Sequence, residues 1–293
     1  MLLVTGATGN VGSAVVAELA NKPCKVRVLV RDPARLSIRA PNIEVAVGDF
    51  ADAASLAAAL EGVDAAFLAS SFDVRMAELQ MRFVDAAKRA GVARVVQLSA
   101  VGANACRCCV RTLRWLGQVE QALQTSGMAA THLRAAFFFQ NLLSFGESIA
   151  RQGVIAGPFR NIKWPWVDAR DVGAVAAAAL MDSAHAGRSY DVTAAEALTY
   201  HEVAQRLGSI LHVPIRYLDV SANETRGHLQ ASGSSPILVE AILELWDAFA
   251  SGFIQINPTD AVRTITGRQP RSLEDFACDY RARLLKAAGS NAA

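Results

Sequence analysis

The sequence predicts an α/β fold, a doubly wound parallel sheet followed by a small C-terminal α/β lobe. Three observations lead to this prediction. Short β-branched runs alternate with amphipathic or alanine-rich segments through the first half of the chain, which is typical of a parallel sheet covered by helices on both faces. A glycine-rich loop follows the first of these runs. Beyond residue 140 the regular alternation ends.

The first half of the chain is predicted to contain six strands and four helices. The strands are expected at 2–5, 25–30, 43–47, 63–69, 94–98 and 131–133, and the helices at 13–20, 53–60, 75–90 and 112–125. Each strand run is short and apolar, and each intervening run has the apolar spacing of a helix packed on one face.

The second half is predicted to add two elements to the main sheet and to form a smaller lobe. A helix is expected at 141–151, then a loop with short extended pieces, a helix at 169–181 and a strand at 189–192. Thr199 and Glu202 have the spacing of a capping box, which predicts a helix start. The predicted elements of the lobe are a helix at 199–211, a strand at 215–220, and helices at 236–251 and 273–285.

These elements give approximate domain boundaries. The main domain is expected to cover 1–145 and about 166–195, the lobe about 146–165 and 196–286, and residues 287–293 are expected to form a tail. Because 52% of the 293 residues are hydrophobic and 19% are charged, the composition is that of a packed globular protein. The formal charge of +2 is too small to favour nucleic acid or an anionic membrane as the main partner.

Cellular location and metal binding are predicted from other features. Residues 2–5 are interpreted as a strand rather than part of a signal peptide, so we expect a cytoplasmic protein. Either a monomer or a homodimer is expected. Five cysteines at 24, 106, 108, 109 and 278 fit reduced thiols better than disulfides. The cluster 106–109 could bind a metal or act in redox chemistry, but incidental clustering is favoured because no second Cys or His pair has ligand spacing. No metal site is predicted.

The stretch VTGATGNVGSAV, residues 4–15, predicts a dinucleotide-binding turn. Gly6 would permit the tight turn that leaves the strand, and Gly9 would let the backbone approach a pyrophosphate. Gly12 would let the following helix pack closely on the strand, with its N-terminal amides facing the phosphates. The pattern alone is weak, but here it follows a strand and precedes a helix, as the motif requires.

The end of the second strand, VRVLVRDP, indicates which dinucleotide is preferred. An NAD-binding sheet usually carries an acidic residue there to accept the ribose hydroxyls, whereas this chain has Arg31, with Asp32 next and Arg35 further on. A guanidinium suits the 2′-phosphate of NADP. NADP(H) is therefore the preferred cofactor, and Asp32 leaves NAD(H) open as a second one. The alternative is that Arg31 is simply solvated.

Taken together, these residues resemble the NmrA-like family of atypical short-chain dehydrogenase/reductases. The resemblance extends to VAVGDFAD, AFLAS, VVQLSAVGA, THLRAAFFFQNLL, PWVDARDVGAVAAAAL and TGRQPRSLEDFACDY, and covers nearly the whole chain. It implies a Rossmann domain with a small C-terminal lobe and a cofactor cleft.

The resemblance also assigns roles to particular residues. It implies that Asp49 and Phe50 flank the adenine, that Ala69 and Ser70 line the adenosine side, and that Ser99 lies near the nicotinamide. The predicted cofactor-binding residues are Gly6, Thr8, Gly9, Asn10, Val11, Gly12, Arg31, Arg35, Asp49, Phe50, Ala69, Ser70 and Ser99.

Short-chain dehydrogenases as a group use a Tyr-x-x-x-Lys pair on the helix after the fifth strand to transfer a proton. If Glu120 is aligned with the acidic residue three places after that lysine, Gly117 takes the lysine position and Leu113 the tyrosine position. Neither residue can transfer a proton. Reduction of a simple ketone would then lack an acid, whereas a quinone, an azo dye or a conjugated cation could accept hydride and be protonated by water.

Aromatic residues could form the wall of an acceptor site. The candidates for the substrate and nicotinamide wall are Ser99, Trp115, Phe137, Phe138, Asn141 and Trp164. Aromatic rings could stack on a flat acceptor, but Phe and Trp are equally expected as core residues.

Two functions remain open from the sequence. One is an NAD(P)H-dependent reductase of conjugated acceptors, with a small aromatic substrate. The other is a non-catalytic NADP(H)-binding sensor that acts on a protein partner, which the missing Tyr/Lys pair suits equally well. No helix-turn-helix is recognisable, so nucleic acid is not expected as a partner, and neither is a membrane.

Overall fold

The computed structural model describes residues 1–104 and 110–286. The described chain forms two compact units. Unit 1 lies within Met1–Ala135, Ala169–Val192 and Ala261–Arg268, and unit 2 holds Ala136–Asp168, Thr193–Asp260 and the described residues from Gln269 onward. The predicted tail at 287–293 and the cluster of Cys106, Cys108 and Cys109 lie outside the described residues.

Among the described residues, twelve strands form the sheets of the two units. In chain order they are β1 (Leu2–Val4), β2 (Val26–Val30), β3 (Ile43–Val47), β4 (Ala65–Leu68), β5 (Arg94–Ala100), β6 (Ala129–Ala135), β7 (Phe137–Phe138), β8 (Val154–Gly157), β9 (Trp164–Val167), β10 (Ser189–Val192), β11 (Ala197–Leu198) and β12 (Arg216–Asp219).

The sheet of unit 1 has seven strands in the order β10-β6-β5-β4-β1-β2-β3. Every neighbouring pair is parallel. The strand order reverses between β1 and β4, which is where open α/β sheets bind their ligands, at the carboxyl ends of the strands. The predicted doubly wound parallel sheet is confirmed.

The helices follow the strands along the chain. They are α1 (Asn10–Leu19), α2 (Ala53–Leu60), α3 (Met76–Arg89), α4 (Arg111–Thr125), α5 (Gly146–Gln152), α6 (Ala169–Met181), α7 (Tyr200–Leu211), α8 (Ala222–Ala231), α9 (Pro236–Ala250), α10 (Ala261–Thr266), α11 (Leu273–Asp279) and α12 (Arg281–Leu284). The bounds of α6 and β10 agree with the predicted ones, and the predicted capping box at Thr199 and Glu202 is present at the start of α7.

Small residues let α1 and α6 pack closely in unit 1. A Cβ at Gly173 of α6 would lie 2.4 Å from the Cβ of Ala14 on α1, well inside van der Waals contact. Val15 and Val16 of α1 and Val172 and Val175 of α6 are buried. The alanine-rich composition of α6 is thus explained by close packing against α1 rather than by a membrane, and no helix of the described residues could cross a bilayer.

Unit 2 is built around an aromatic core and two small sheets. Strand β9 pairs with β7 and β11, and β8 pairs with β12. The Trp166 ring stacks on Phe139 at 5.7 Å between centroids, and Phe139 stacks in turn on Phe276. The Trp166 indole donates a hydrogen bond to the Leu198 carbonyl at 3.2 Å, so its one polar group is satisfied inside the core.

Two predicted helices differ from the structure. The predicted helix at 141–151 is a 3₁₀ helix, Phe139–Phe145, followed by α5. The predicted helix at 273–285 is divided at Tyr280 into α11 and α12. The break redirects Arg281, whose guanidinium donates to the carbonyls of Ile210 and Leu211 at the end of α7, both at 2.9 Å. Those carbonyls lack partners within their own helix.

Candidate functional site

The turn between β1 and α1 has the shape that the glycine spacing predicts. Gly6 has φ +63°, a left-handed conformation that favours glycine. A Cβ at Gly12 would lie 2.1 Å from the carbonyl oxygen of Gly6, so this position accepts no other residue without a shift. Gly9 is the N-cap of α1 and has no side chain to occupy the first amides of the helix. The turn therefore fits a pyrophosphate at the helix N-terminus.

Thr5, for which the sequence predicted no role, joins the ends of β1 and β4. Its buried Oγ1 lies 2.9 Å from the carbonyl oxygens of both Phe67 and Ala69, and it accepts the N–H of Ala69 at 2.9 Å. A Cβ at Gly6 would meet the Ala69 carbonyl at 3.1 Å. The hydrogen bonds of Thr5 therefore hold the ends of β1 and β4 together where the strand order reverses. The sequence signal that could have identified Thr5 is its position directly before the first glycine of the turn.

Charged residues lie at the ends of β2 and β3. Arg31 follows β2 with its side chain 69% exposed, and its Nε is 4.0 Å from Oδ2 of Asp49, which follows β3 and is 42% exposed. The Oδ1 of Asp32 accepts the Ala34 N–H at 2.9 Å and caps the 3₁₀ turn Pro33–Arg35. Arg35 is exposed. The structure thus brings Arg31 and Asp49 together, and uses one oxygen of Asp32 for a cap.

The residues predicted on the adenosine side occupy different environments. Phe50 is buried and packs on Phe83 with ring centroids 5.2 Å apart. Ser70 is half-buried, and its Oγ accepts a hydrogen bond from Nε2 of the buried Gln80 at 3.0 Å. Gln80 was not predicted, since a glutamine on an amphipathic helix does not reveal its partner. Thr8 and Asn10 are exposed at the turn, and Val11 is buried.

A buried ionic network lies at the carboxyl ends of β5 and β6. Arg134 donates to both carboxylate oxygens of Glu120, from Nε at 3.0 Å and from Nη2 at 2.7 Å, and Ser99 Oγ donates to Glu120 Oε1 at 2.6 Å. The side chain of Glu120 is 4% exposed. Burial alone would raise the pKa of Glu120, but the hydrogen bonds from Arg134 and Ser99 lower it below its usual value. Glu120 is therefore a carboxylate at neutral pH.

His132 and Gln97 form a second buried polar pair, two residues before Arg134 and Ser99 on the same strands. They are opposite each other in the register of β5 and β6, and His132 Nδ1 lies 2.9 Å from Gln97 Oε1. Burial lowers the pKa of His132, and the nearby Arg134 lowers it too, while Glu120 opposes them. His132 is therefore neutral at pH 7, and it is buried.

The positions that the resemblance assigns to tyrosine and lysine lie on α4. Leu113 is 1% exposed. A Cβ at Gly117 would lie 2.6 Å from the carbonyl oxygen of Ala103, so the helix approaches the chain after β5 too closely for a side chain. An apolar core residue and a tight backbone contact thus occupy the two positions that the resemblance assigns to the pair.

The predicted wall residues divide between the two units. In unit 1, the buried Ser99 donates a hydrogen bond to Glu120. The half-buried Trp115 packs near Met76, Ala103 and Leu116. In unit 2, Asn141 is exposed and Phe138 half-buried.

The other two predicted wall residues, Phe137 and Trp164, belong to the aromatic cluster of unit 2. Phe137 is half-buried and meets Trp164 edge-on at 4.5 Å between centroids. Trp164 is 1% exposed, and its Nε1 donates to the Phe159 carbonyl at 3.3 Å. The alternative considered for the aromatic residues, a place in the core, describes Trp164 in this structure.

Comparisons with known proteins place the chain in a family. The model of the NmrA-like family matches residues 1–249. The NAD(P)H azoreductase of Xenophilus azovorans is 35% identical over 278 residues, which cover 94% of this chain and 96% of that protein.

Two further relatives are similar over nearly their whole length. The (4-alkanoyl-5-oxo-2,5-dihydrofuran-3-yl)methyl phosphate reductase of Streptomyces griseus is also 35% identical, over 96% of this chain and 98% of that protein. The crystal structure of an Escherichia coli NADPH-dependent quinone oxidoreductase complexed with NADPH has a TM-score of 0.84 at 25% identity, covering 96% of this chain and 100% of that one. The chain belongs to the NmrA-like family.

Proposed function

We propose that the chain is an NAD(P)H-dependent reductase that passes a hydride directly to a conjugated acceptor of the quinone or azo type. The relatives named above support the reductase class, since they are an azoreductase, a reductase of an oxo-dihydrofuran and a quinone oxidoreductase. The glycine turn between β1 and α1 supports binding of the dinucleotide.

The packing of α4 is the observation that carries the choice of acceptor. With Leu113 in the core and Gly117 against the Ala103 carbonyl, neither position can offer a proton to a developing alkoxide. General acid catalysis typically contributes about 10²–10⁴-fold, so a simple ketone would be a poor substrate. A quinone or azo group spreads the incoming charge over several atoms and needs no acid in the transition state.

The buried network supports the same choice. The Ser99 hydroxyl donates a hydrogen bond to Glu120, and Glu120 is held as a carboxylate by Arg134. His132 is neutral and buried. When bound, reduced nicotinamide supplies the hydride and its two electrons. These side chains hold the ends of β5 and β6 in place, and the reduced acceptor takes its proton from water.

NADP(H) is proposed as the preferred cofactor and NAD(H) as a second one. Arg31 and Arg35 are exposed after β2, where guanidinium groups can bind a 2′-phosphate. One oxygen of the Asp32 carboxylate caps the turn at Pro33–Arg35, and the other can still accept a ribose hydroxyl. The two arginines favour the phosphorylated cofactor, and Asp32 supports NAD(H) as the second one.

Steady-state oxidation of NADPH with a set of acceptors tests the proposal. The set contains a quinone, an azo dye and a simple aliphatic ketone. We expect turnover with one or both conjugated acceptors and turnover with the ketone lower by two orders of magnitude or more. Equal turnover with the ketone would contradict the proposed mechanism.

Together with titration calorimetry, the same experiment distinguishes the reductase from the sensor. If the protein binds NADPH in titration calorimetry but oxidises it no faster than buffer with every acceptor, the reductase proposal is wrong and the sensor alternative takes its place. A sensor must also bind NADP⁺ and NADPH with different affinities, because a ligand pair bound equally shifts no equilibrium.

A further inference from the structure

We infer that Asp49 sets the balance between NADP(H) and NAD(H), by competing with a 2′-phosphate for Arg31 and by accepting a ribose hydroxyl when the phosphate is absent. This inference rests on the proposed cofactor site. The resemblance assigns Asp49 only to the adenine, whereas the structure places its carboxylate beside the guanidinium at the end of β2, with Arg31 Nε 4.0 Å from Asp49 Oδ2.

The backbone around Asp49 holds its carboxylate in this position. Strands β2 and β3 are neighbours with Val30 opposite Val47, and the Gly48 N–H donates to the Val30 carbonyl at 3.0 Å. The Asp49 N–H donates to Ser55 Oγ at 3.1 Å, and Asp49 Oδ1 accepts the Ala51 N–H at 2.8 Å. One carboxylate oxygen is thus occupied by the turn, and the other faces Arg31.

The contact with Arg31 is loose enough to be exchanged for a ligand. The two side chains are 69% and 42% exposed, and such exposed ion pairs contribute little to stability. A 2′-phosphate dianion would draw Arg31 away and would feel the negative charge of Asp49. A ribose hydroxyl would instead find an acceptor in Asp49 Oδ2. One side chain therefore weakens NADP(H) binding and supports NAD(H) binding.

The ratio of two affinities isolates this effect from other contacts of Asp49. Any contact with the adenine is common to NADP⁺ and NAD⁺ and cancels in the ratio of their dissociation constants. The variant Asp49→Asn keeps an oxygen to accept the Ala51 N–H and removes the charge. We expect the preference for NADP⁺ over NAD⁺ to rise by about three- to tenfold, the order expected when one charge is removed a few ångströms from another in a solvated site.

A matched control removes one carboxylate near the amino ends of the strands, away from the proposed cofactor site. Glu61 is exposed at the end of α2. This helix begins shortly after Asp49, at the carboxyl end of β3, and leads to the amino end of β4. The variant Glu61→Gln loses the same charge and should leave the ratio unchanged. In an Arg31→Ala background, Asp49→Asn should change the ratio less than it does in the native chain, because the two residues act on the same phosphate.

Titration calorimetry of NADP⁺ and NAD⁺ with these variants decides the inference. A rise below about threefold in Asp49→Asn, an equal loss for both cofactors, or an equal rise in Glu61→Gln would overturn it. Calorimetry needs no turnover, so a chain that binds both cofactors with the expected ratios but reduces no acceptor would leave this inference intact and would refute the proposed reductase. A chain that binds neither cofactor would refute the proposed site itself.

Discussion

Glu120 on α4 and Arg134 on β6 form a two-pronged ion pair, with N–O distances of 3.0 and 2.7 Å, inside unit 1. Their side chains are 4% and 12% exposed. Because Glu120 also accepts the Ser99 hydroxyl, one carboxylate ties the helix to the ends of two neighbouring strands. This network holds the carboxyl edge of the sheet at the half where the resemblance places the nicotinamide.

Removing one partner of this ion pair should destabilise the protein strongly. In Glu120→Ala, the guanidinium of Arg134 is left buried without its carboxylate, and such losses cost about 3–5 kcal/mol. Urea unfolding followed by circular dichroism measures the change. Replacing both residues, Glu120→Leu with Arg134→Met, should recover part of the loss, since an apolar pair leaves no buried charge. A single variant as stable as the native chain would contradict this account.

The buried His132 should make stability depend on pH. Burial lowers the pKa of the folded His132 below its usual 6.5, so the unfolded chain binds a proton that the folded chain does not as the pH falls below about 6.5. The contribution is present above that pH and is lost as the pH falls, by at most about 1.4 kcal/mol per pH unit.

The variant His132→Gln provides the comparison for this pH effect. Glutamine does not titrate, so the slope of unfolding free energy between about pH 6.5 and pH 5 should be smaller than in the native chain. The lowered pKa of Glu120 acts in a more acidic window, because a carboxylate loses its contribution only as the pH falls below its usual value near 4.5. Identical slopes in the two proteins would show that His132 does not titrate as described.

The close approach at Gly117 predicts opposite effects for two glycine-to-alanine changes. A Cβ at Gly117 in α4 would meet the Ala103 carbonyl at 2.6 Å, whereas a Cβ at Gly227 in α8 would meet no heavy atom of the described residues within 4 Å beyond its chain neighbours and its own helix backbone. Gly117→Ala should destabilise by about 1–3 kcal/mol. Gly227→Ala should stabilise by about 0.5–1 kcal/mol, the helix propensity difference. Thermal unfolding of both variants measures this, and a stabilising Gly117→Ala would refute the contact.

Thr5 should matter for the cofactor as well as for stability. Thr5→Val keeps the shape of the side chain and removes the Oγ1 that accepts the Ala69 N–H and contacts the Phe67 and Ala69 carbonyls. Loss of a buried hydrogen-bond partner costs about 1–3 kcal/mol. Since Ala69 lies close to the Gly6 turn, where a Cβ on Gly6 would be 3.1 Å from the Ala69 carbonyl, NADPH binding measured by calorimetry should weaken. Thr5→Ser retains the hydroxyl and should bind nearly as tightly as the native chain.

Much of the fold could be predicted from local patterns. Helix α6 and strand β10 were predicted with the observed bounds because apolar spacing and turn residues mark their ends. Helix α8 was missed because its one buried residue is Thr225, so no apolar periodicity indicated a helix. The capping box of Ser221 and Glu224 was a signal that could have revealed its start.

The candidate site was only partly predictable for a physical reason. The glycines at 6, 9 and 12 report their own backbone requirements, so spacing identifies them. Glu120 was used to align α4, but its partners Ser99 and Arg134 lie on strands 21 and 14 residues away, and no spacing rule connects a helix to two strand ends. The approach of Asp49 to Arg31 likewise depends on the pairing of β2 with β3.

Direct hydride transfer to a conjugated acceptor can be followed in a single turnover of NADPH oxidation by a quinone, made with NADPH and with NADPH deuterated at the transferred position. If hydride passes to a conjugated acceptor without a protein acid, the rate should show a primary isotope effect and stay level between about pH 6 and pH 9. A rate that follows the titration of one protein group across that range, or no oxidation above the buffer rate, would contradict the account.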